Sequence, residues 1–220
     1  MAETYIRRSL EPVLRRAAAE FPGVVLTGPR QSGKTTLLKY LYGDVFRYVS
    51  LEAPDVRAAA REDPRGFLAM HAAPVIFDEI QHAPDLLPYV KEAMDAQRHR
   101  PGQYLLTGSQ NLLLAEKVTE SLAGRVAVLR LLPLARREAE GPPPESAGCQ
   151  NIWAELVRGS YPELVANPGR DVSLWYASYV QTYLERDVRT IRQVGDLHEF
   201  HSFLRILAAR NGQLLHLTDL

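Results

Sequence analysis

Short apolar runs bounded by glycine, proline and polar turns alternate with helically spaced apolar positions over the first two thirds of the chain; the last third keeps only the helical spacing. Ser9 to Glu20 reads as a short helix. Gly23 to Thr27 is an apolar run of buried-strand length that ends at Gly28. From Gly33 to Tyr42, Leu37, Leu38 and Leu41 share one helical face, and Gly43 reads as a left-handed stop. A second strand is expected at Phe46 to Leu51, then helical pieces around Asp55 to Arg61 and after Asp63-Pro64. Pro74 opens a third strand, Val75-Ile76-Phe77, which runs into two carboxylates, Asp78 and Glu79. A helix from about Asp85 to Arg98 follows, with Pro88 in its first turn. Gln103 to Thr107 reads as a fourth strand, Asn111 to Glu120 as a helix with Leu112, Leu113 and Val118 inward, and Val126 to Leu131 as a fifth strand.

Strands alternating with helices imply parallel strands joined by crossovers, in a sheet covered on both faces. The expected class is α/β. Gly141 to Cys149, with three consecutive prolines, excludes helix and central strand, so a linker is expected at 141–150 between domains at 1–140 and 151–220. Beyond it helices are expected at Ile152 to Arg158, closed by Gly159, at about Val172 to Arg192, and at about Leu197 to Arg210, where Asp196 and Glu199 resemble a capping box. Leu214 to Asp219 reads as the opening of another helix, so the helical domain is expected to be partial.

Composition narrows the function classes. The chain of 220 residues is 46% hydrophobic and 24% charged, the balance of a globular protein with a full core. Lys+Arg and Asp+Glu are both 26, so no global basic field announces nucleic acid. The single cysteine, Cys149, has no disulfide or thiolate partner, which points to a reducing, cytoplasmic setting. No run approaches about 18 apolar residues and no signal-peptide core follows Arg7-Arg8, so no membrane segment is expected.

The chemistry concentrates after the first strand. Gly28-Pro29-Arg30-Gln31-Ser32-Gly33-Lys34-Thr35 has the form G-x-x-x-x-G-K-[ST], with strand before and helix after. The glycines let backbone N–H groups turn toward phosphate oxygens, and the following helix adds its positive end. Lys34 is expected to reach the β- and γ-phosphates and Thr35 to give magnesium a hydroxyl ligand; the binding segment extends to Thr36. Asp78 would orient magnesium through its water shell, and Glu79 would act as general base on the attacking water. Acids at a strand end are common before polar turns, but after a phosphate loop they take on this role. Ser109, in Thr107-Gly108-Ser109 at the end of the fourth strand, is the candidate for sensing the γ-phosphate, although Thr and Ser there could equally cap the next helix. Arg125, just before the fifth strand, is either a finger onto a neighbouring subunit's γ-phosphate or a surface ion-pair arginine. Tyr179, Tyr183, Leu184, Val188 and Ile191 fit a helical core stripe beside Arg186 and Asp187.

These residues resemble the bacterial and archaeal AAA-type P-loop ATPases whose nucleotide domain is joined to a C-terminal helical domain of unknown function. The resemblance rests on Leu26-Thr27-Gly28-Pro29-Arg30-Gln31, Asp78-Glu79-Ile80-Gln81, Leu106-Thr107-Gly108-Ser109-Gln110, Ser121-Leu122-Ala123-Gly124-Arg125 and Tyr183-Leu184-Glu185-Arg186-Asp187-Val188. It implies a three-layer sandwich with parallel sheet order 5-1-4-3-2. It also implies a winged-helix-like segment beginning near Leu214.

The leading expectation is ATP binding and magnesium-dependent hydrolysis that drives a conformational change in a protein partner, with a homo-oligomer as a possible assembly. The rival is a nucleotide-gated switch or interaction module with little turnover. A small-molecule kinase fits less well, because the adjacent Asp78 and Glu79 suit water activation. After residue 150 there are 7 Lys+Arg and 8 Asp+Glu, so DNA contact is expected only through residues beyond 220.

Overall fold

The computed structural model describes residues 5–109, 121–140, 152–184 and 197–213. Five strands form its centre: β1 (Gly23–Gly28), β2 (Arg47–Ser50), β3 (Val75–Asp78), β4 (Tyr104–Ser109) and β5 (Val126–Arg130). They pair in parallel in the order β2-β3-β4-β1-β5, the 5-1-4-3-2 arrangement. β3 and β4 are buried at every position and β1 at all but Thr27, whereas the edge strands are more open, β2 being buried only at Val49 and β5 at no position. This burial explains the unbroken apolar runs of the central strands.

Alternate side chains of each strand enter different cores. Val24, Leu26, Ile76 and Leu105 pack with Leu14, Ala17 and Ala18 of α1 (Glu11–Glu20) and with Leu37 and Leu38 of α2 (Lys34–Tyr42). Val25, Val75, Phe77 and Leu106 point the other way. Their partners are Ala60 of α3 (Pro54–Glu62), Phe67 of α4 (Pro64–Met70), and Leu87, Val90 and Met94 of α5 (Leu87–Ala96).

Local signals govern most element ends. Asp63 caps α4 by accepting from the Gly66 N–H at 2.9 Å. Pro88 lies in the first turn of α5, as the sequence requires, but α5 starts at Leu87 because Pro84–Leu86 forms a separate 3-10 turn. Gly43 departs from expectation. It has φ −59 and stays right-handed, with its N–H on the Lys39 carbonyl, so α2 ends by continuing into a turn rather than by a left-handed stop. Two short helices, α6 (Arg136–Glu140) and α8 (Pro162–Ala166), were not among the expected elements; between them α7 (Ile152–Arg158) stops at Gly159 as expected.

The chain divides into compact units at 1–172 and 173–220. At the second unit's start, α9 (Val172–Tyr179) runs into a π-helical stretch, Val180–Leu184, where a regular helix was expected. The Thr182 hydroxyl donates to the Ser178 carbonyl at 2.6 Å, the type of back-bond that competes with the helical ladder. Trp175 and Tyr179 are buried and stacked at 5.2 Å. α10 (Leu197–Ala209) follows. Among the described residues no helix is long and apolar enough to cross a membrane. The expected linker at 141–150, the helix at Asn111 to Glu120, Cys149, Arg186, Asp187, Val188, Ile191 and Asp196, and the segment from Leu214 lie outside the described residues.

Candidate functional site

The C-terminal ends of β1, β3 and β4 lie side by side, so the residues that follow them meet at one edge of the sheet. From β1 the chain turns through residues 28–33 into α2. Two glycines make the turn possible. Gly28 has φ 151, and a Cβ there would lie 2.1 Å from the Leu131 carbonyl oxygen; Gly33, at φ 91, is the left-handed residue that starts α2. Ser32 is buried between them, and its hydroxyl has no partner among the described residues. Lys34 is only 4% exposed, and its ammonium donates to the Gly28 and Pro29 carbonyls at 3.1 and 2.9 Å. An ammonium and an unpaired hydroxyl at a helix N-terminus form a donor set suited to phosphate.

Thr35, one residue into α2, donates its hydroxyl to both oxygens of Asp78 at 3.0 Å each. Asp78 is buried and takes two more hydroxyls, Tyr48 of β2 at 2.7 Å and Thr107 of β4. Thr107 in turn accepts the Glu79 N–H at 3.0 Å. Glu79 sits at φ 57, a left-handed conformation costly for a non-glycine residue. Its carboxylate accepts from the Gln81 amide, which also donates to the Ser109 hydroxyl at 3.2 Å. Lys34, Thr35, Asp78, Glu79 and Ser109, scattered over 76 positions of sequence, therefore share one edge.

Three participants were not singled out by sequence. Tyr48 holds Asp78 from the edge strand; burial, then donation to Asp78, pushes its phenol well above the ordinary value, and the Lys39 ammonium lies 3.6 Å from its ring centre. Gln81 figured only as a letter of a longer motif. Arg8 is buried and donates to the Ser32 carbonyl at 2.8 Å and the Leu132 carbonyl at 2.6 Å, with Glu138 of α6 as its ion-pair partner at 3.2 Å. Burial raises the Glu138 carboxyl, but N–H donation from Ser9 and Ala135 and the Arg8 charge outweigh it and hold the group below the usual carboxylate range. An alternating apolar pattern hints at Tyr48's inward neighbours but not at its hydroxyl's partner, and nothing local marks Arg8.

Arg125 stands apart. It precedes Val126, which pairs with Gly23 at the start of β1, so it lies at the end of the sheet opposite the loop. Its guanidinium makes two bonds to Asp95 of α5, at 2.7 and 3.0 Å, and one to the Ala123 carbonyl. Within one chain it does not approach the loop. Thr36 and Gln31 are exposed, and Pro29 and Arg30 half-buried.

A model of the family described as AAA domain matches residues 20–140, more than half of the chain, a span that includes Lys34, Thr35, Asp78, Glu79 and Ser109. The chain belongs to the AAA domain family. Residues 150–220 match a domain of unknown function (DUF8612), so the AAA domain is joined to a C-terminal domain of unknown function. Uncharacterized protein Rv2008c of Mycobacterium tuberculosis and Uncharacterized protein Mb2031c of Mycobacterium bovis are each 35% identical to this chain over 183 residues, 83% of its length. The chain spans 40% of each of these relatives. The Walker-type ATPase PABY2304 of Pyrococcus abyssi superposes with a TM-score of 0.52, covering 96% of this chain and 77% of its own at 18% identity, a likeness of fold. The AAA domain here thus has the P-loop ATPase architecture, five parallel strands in the 5-1-4-3-2 order with a helical C-terminal region.

Proposed function

We propose that this chain binds ATP with magnesium at residues 28–36 and hydrolyses it, the turnover driving a conformational change in a protein partner. One observation carries the reading: the Thr35 hydroxyl and the Asp78 carboxylate meet at 3.0 Å beside the phosphate-type donors of the loop. A hydroxyl and a carboxylate are hard oxygen donors of the kind magnesium takes, and the ion usually fills its other positions with water and phosphate rather than further side chains. When bound, magnesium would neutralise charge developing on the β- and γ-phosphates.

The chain's own residues do the rest. Lys34 donates to phosphate oxygens in place of the two loop carbonyls. Asp78, held by three hydroxyls, presents a fixed carboxylate to the ion's water shell. Glu79 accepts a proton from the attacking water, and Ser109 meets the γ-phosphate. A positive charge for that phosphate comes from Arg125 of a second copy, since its position opposite the loop excludes its own site.

Glu79→Gln tests the hydrolase reading. It keeps Asp78 and the loop, so binding of magnesium-ATP should stay within about threefold while turnover falls by about 100-fold or more. Unchanged turnover would remove Glu79 as the base. A second reading is a nucleotide-gated switch with little turnover. A steady-state phosphate-release rate near zero with tight ATP binding would favour it.

A further inference from the structure

Gln81 has an unusual hydrogen-bond account. Its amide nitrogen serves two groups of the proposed site at once, the Glu79 carboxylate and the Ser109 hydroxyl. Its carbonyl oxygen is buried with no partner among the described residues. Its neighbours Ile80 and Ala83 are fully buried, so the short 3-10 turn Ile80–His82 is anchored by apolar packing and does not need the amide. The polar function of Gln81 therefore lies with the two groups it joins.

We propose that Gln81 is a positioning residue for hydrolysis, tying the Glu79 carboxylate to the Ser109 hydroxyl so that base and γ-phosphate contact are set together. This rests on the reading of Glu79 as the base. Glu79 needs such a tie. Its backbone is fixed by its left-handed conformation and the bond to Thr107, but its side chain is half-buried and rotates about three bonds, and a base is effective only within hydrogen-bond reach of the proton it takes. The Gln81 nitrogen engages one carboxylate oxygen, Oε2, and not the other, Oε1. Because the same nitrogen holds Ser109, a displacement at the end of β4 reaches Glu79 through a single side chain.

Gln81→Met tests this, since it keeps length and flexibility and removes both polar atoms. Steady-state kcat should fall about tenfold or more, with KM and the calorimetric affinity for magnesium-ATP within about twofold and the melting temperature unchanged or higher. Ser109→Ala should lower kcat too, and the double variant should be no slower than the slower single one, as expected for residues acting as a unit. Gln81→Glu, which keeps the reach but turns donor into repelling acceptor, should be slower still. The proposal is overturned if Gln81→Met turns over within twofold of the parent, if kcat falls only together with melting temperature and affinity, or if the Ser109 and Gln81 effects multiply. Glu79→Gln run alongside separates the two failures: if it retains turnover, the base assignment fails; if it loses turnover while Gln81→Met does not, only the positioning role fails.

Discussion

Two arginine–carboxylate pairs sit at opposite ends of the same sheet, and they differ in everything but chemistry. Arg8 and Glu138 lie behind the phosphate loop with side chains 5% and 8% exposed, and Arg8 adds bonds to two carbonyls. Arg125 and Asp95 lie at the other end at 24% and 38% exposure, facing solvent. A buried pair in which each guanidinium nitrogen makes a bond locks the segments it joins, because either partner alone would be left charged and unsatisfied. A surface pair exchanges with water at little cost and is free to take a different partner. The loop end is built to hold still; the other end is built to be available.

The largest effect expected from disturbing this contrast is at Lys34. Lys34→Ala should weaken magnesium-ATP binding by about 100-fold or more in calorimetry while the fold persists, because the ammonium donates to the Gly28 and Pro29 carbonyls of the loop and not to either apolar core. Arg125→Ala should leave that affinity within about threefold. Equal losses in both variants would mean that the two ends are not functionally distinct.

Glu138→Gln comes next and concerns stability. Removing the charge leaves Arg8 buried without its counterion and should cost about 2 kcal/mol at neutral pH. The sign with pH follows from the folded carboxyl lying below its ordinary value of 4.5: the parent's advantage is present above that value and is lost as pH falls through the lower, folded one. Melting temperatures of parent and variant should therefore converge in acid. A gap that persists at the lowest accessible pH would mean that the pair's charge is not what stabilises the loop.

The part of the site that sequence made legible is the part built from consecutive residues. Gly28 to Thr35 carries its own strand-to-helix context, and Asp78-Glu79 ends an apolar run, so both could be read locally and the structure brings them to the same edge. Arg8, Tyr48 and the Gln81–Ser109 link could not, since their partners lie 24 to 130 positions away and are chosen by packing. Gly43 shows the same limit on a smaller scale. A glycine after a helix suggests a left-handed stop, yet whether the chain uses that freedom depends on where it must go next, here a right-handed turn leading to β2. Arg125 was open between finger and surface pair on sequence. Its two bonds to Asp95 are the surface-pair geometry within one chain.

The finger role is the third expectation. If Arg125 serves a neighbouring copy, specific activity of the intact protein should rise with concentration, and Arg125→Ala should lower the plateau about tenfold. Mixing Arg125→Ala with Lys34→Ala protein should restore activity, because the second cannot bind nucleotide but can lend its arginine. Asp95→Asn weakens the competing pair and should shift the concentration dependence to lower values. No recovery in the mixture would leave Arg125 as the surface partner of Asp95 alone.

The smallest effect should come from Tyr48, and it measures how firmly the loop end holds its carboxylate. Tyr48→Phe removes one of the three hydroxyls on Asp78 and keeps the ring under Lys39. Thr35 and Thr107 remain, so Asp78 should stay in place with a broader range of orientations. The loss of one hydrogen bond in a satisfied set is worth about 1 kcal/mol, roughly a threefold to tenfold change in an equilibrium. The change should appear as a rise of about threefold in the magnesium concentration for half-maximal nucleotide binding, read by calorimetry as well as by turnover, with kcat at saturating magnesium close to the parent's. A fall in kcat at saturating magnesium with no change in the magnesium requirement would mean that Tyr48 acts on the reaction by a route other than Asp78. The contrast with Arg125→Ala, which should change the plateau and not the magnesium requirement, would then no longer separate the two ends of the sheet.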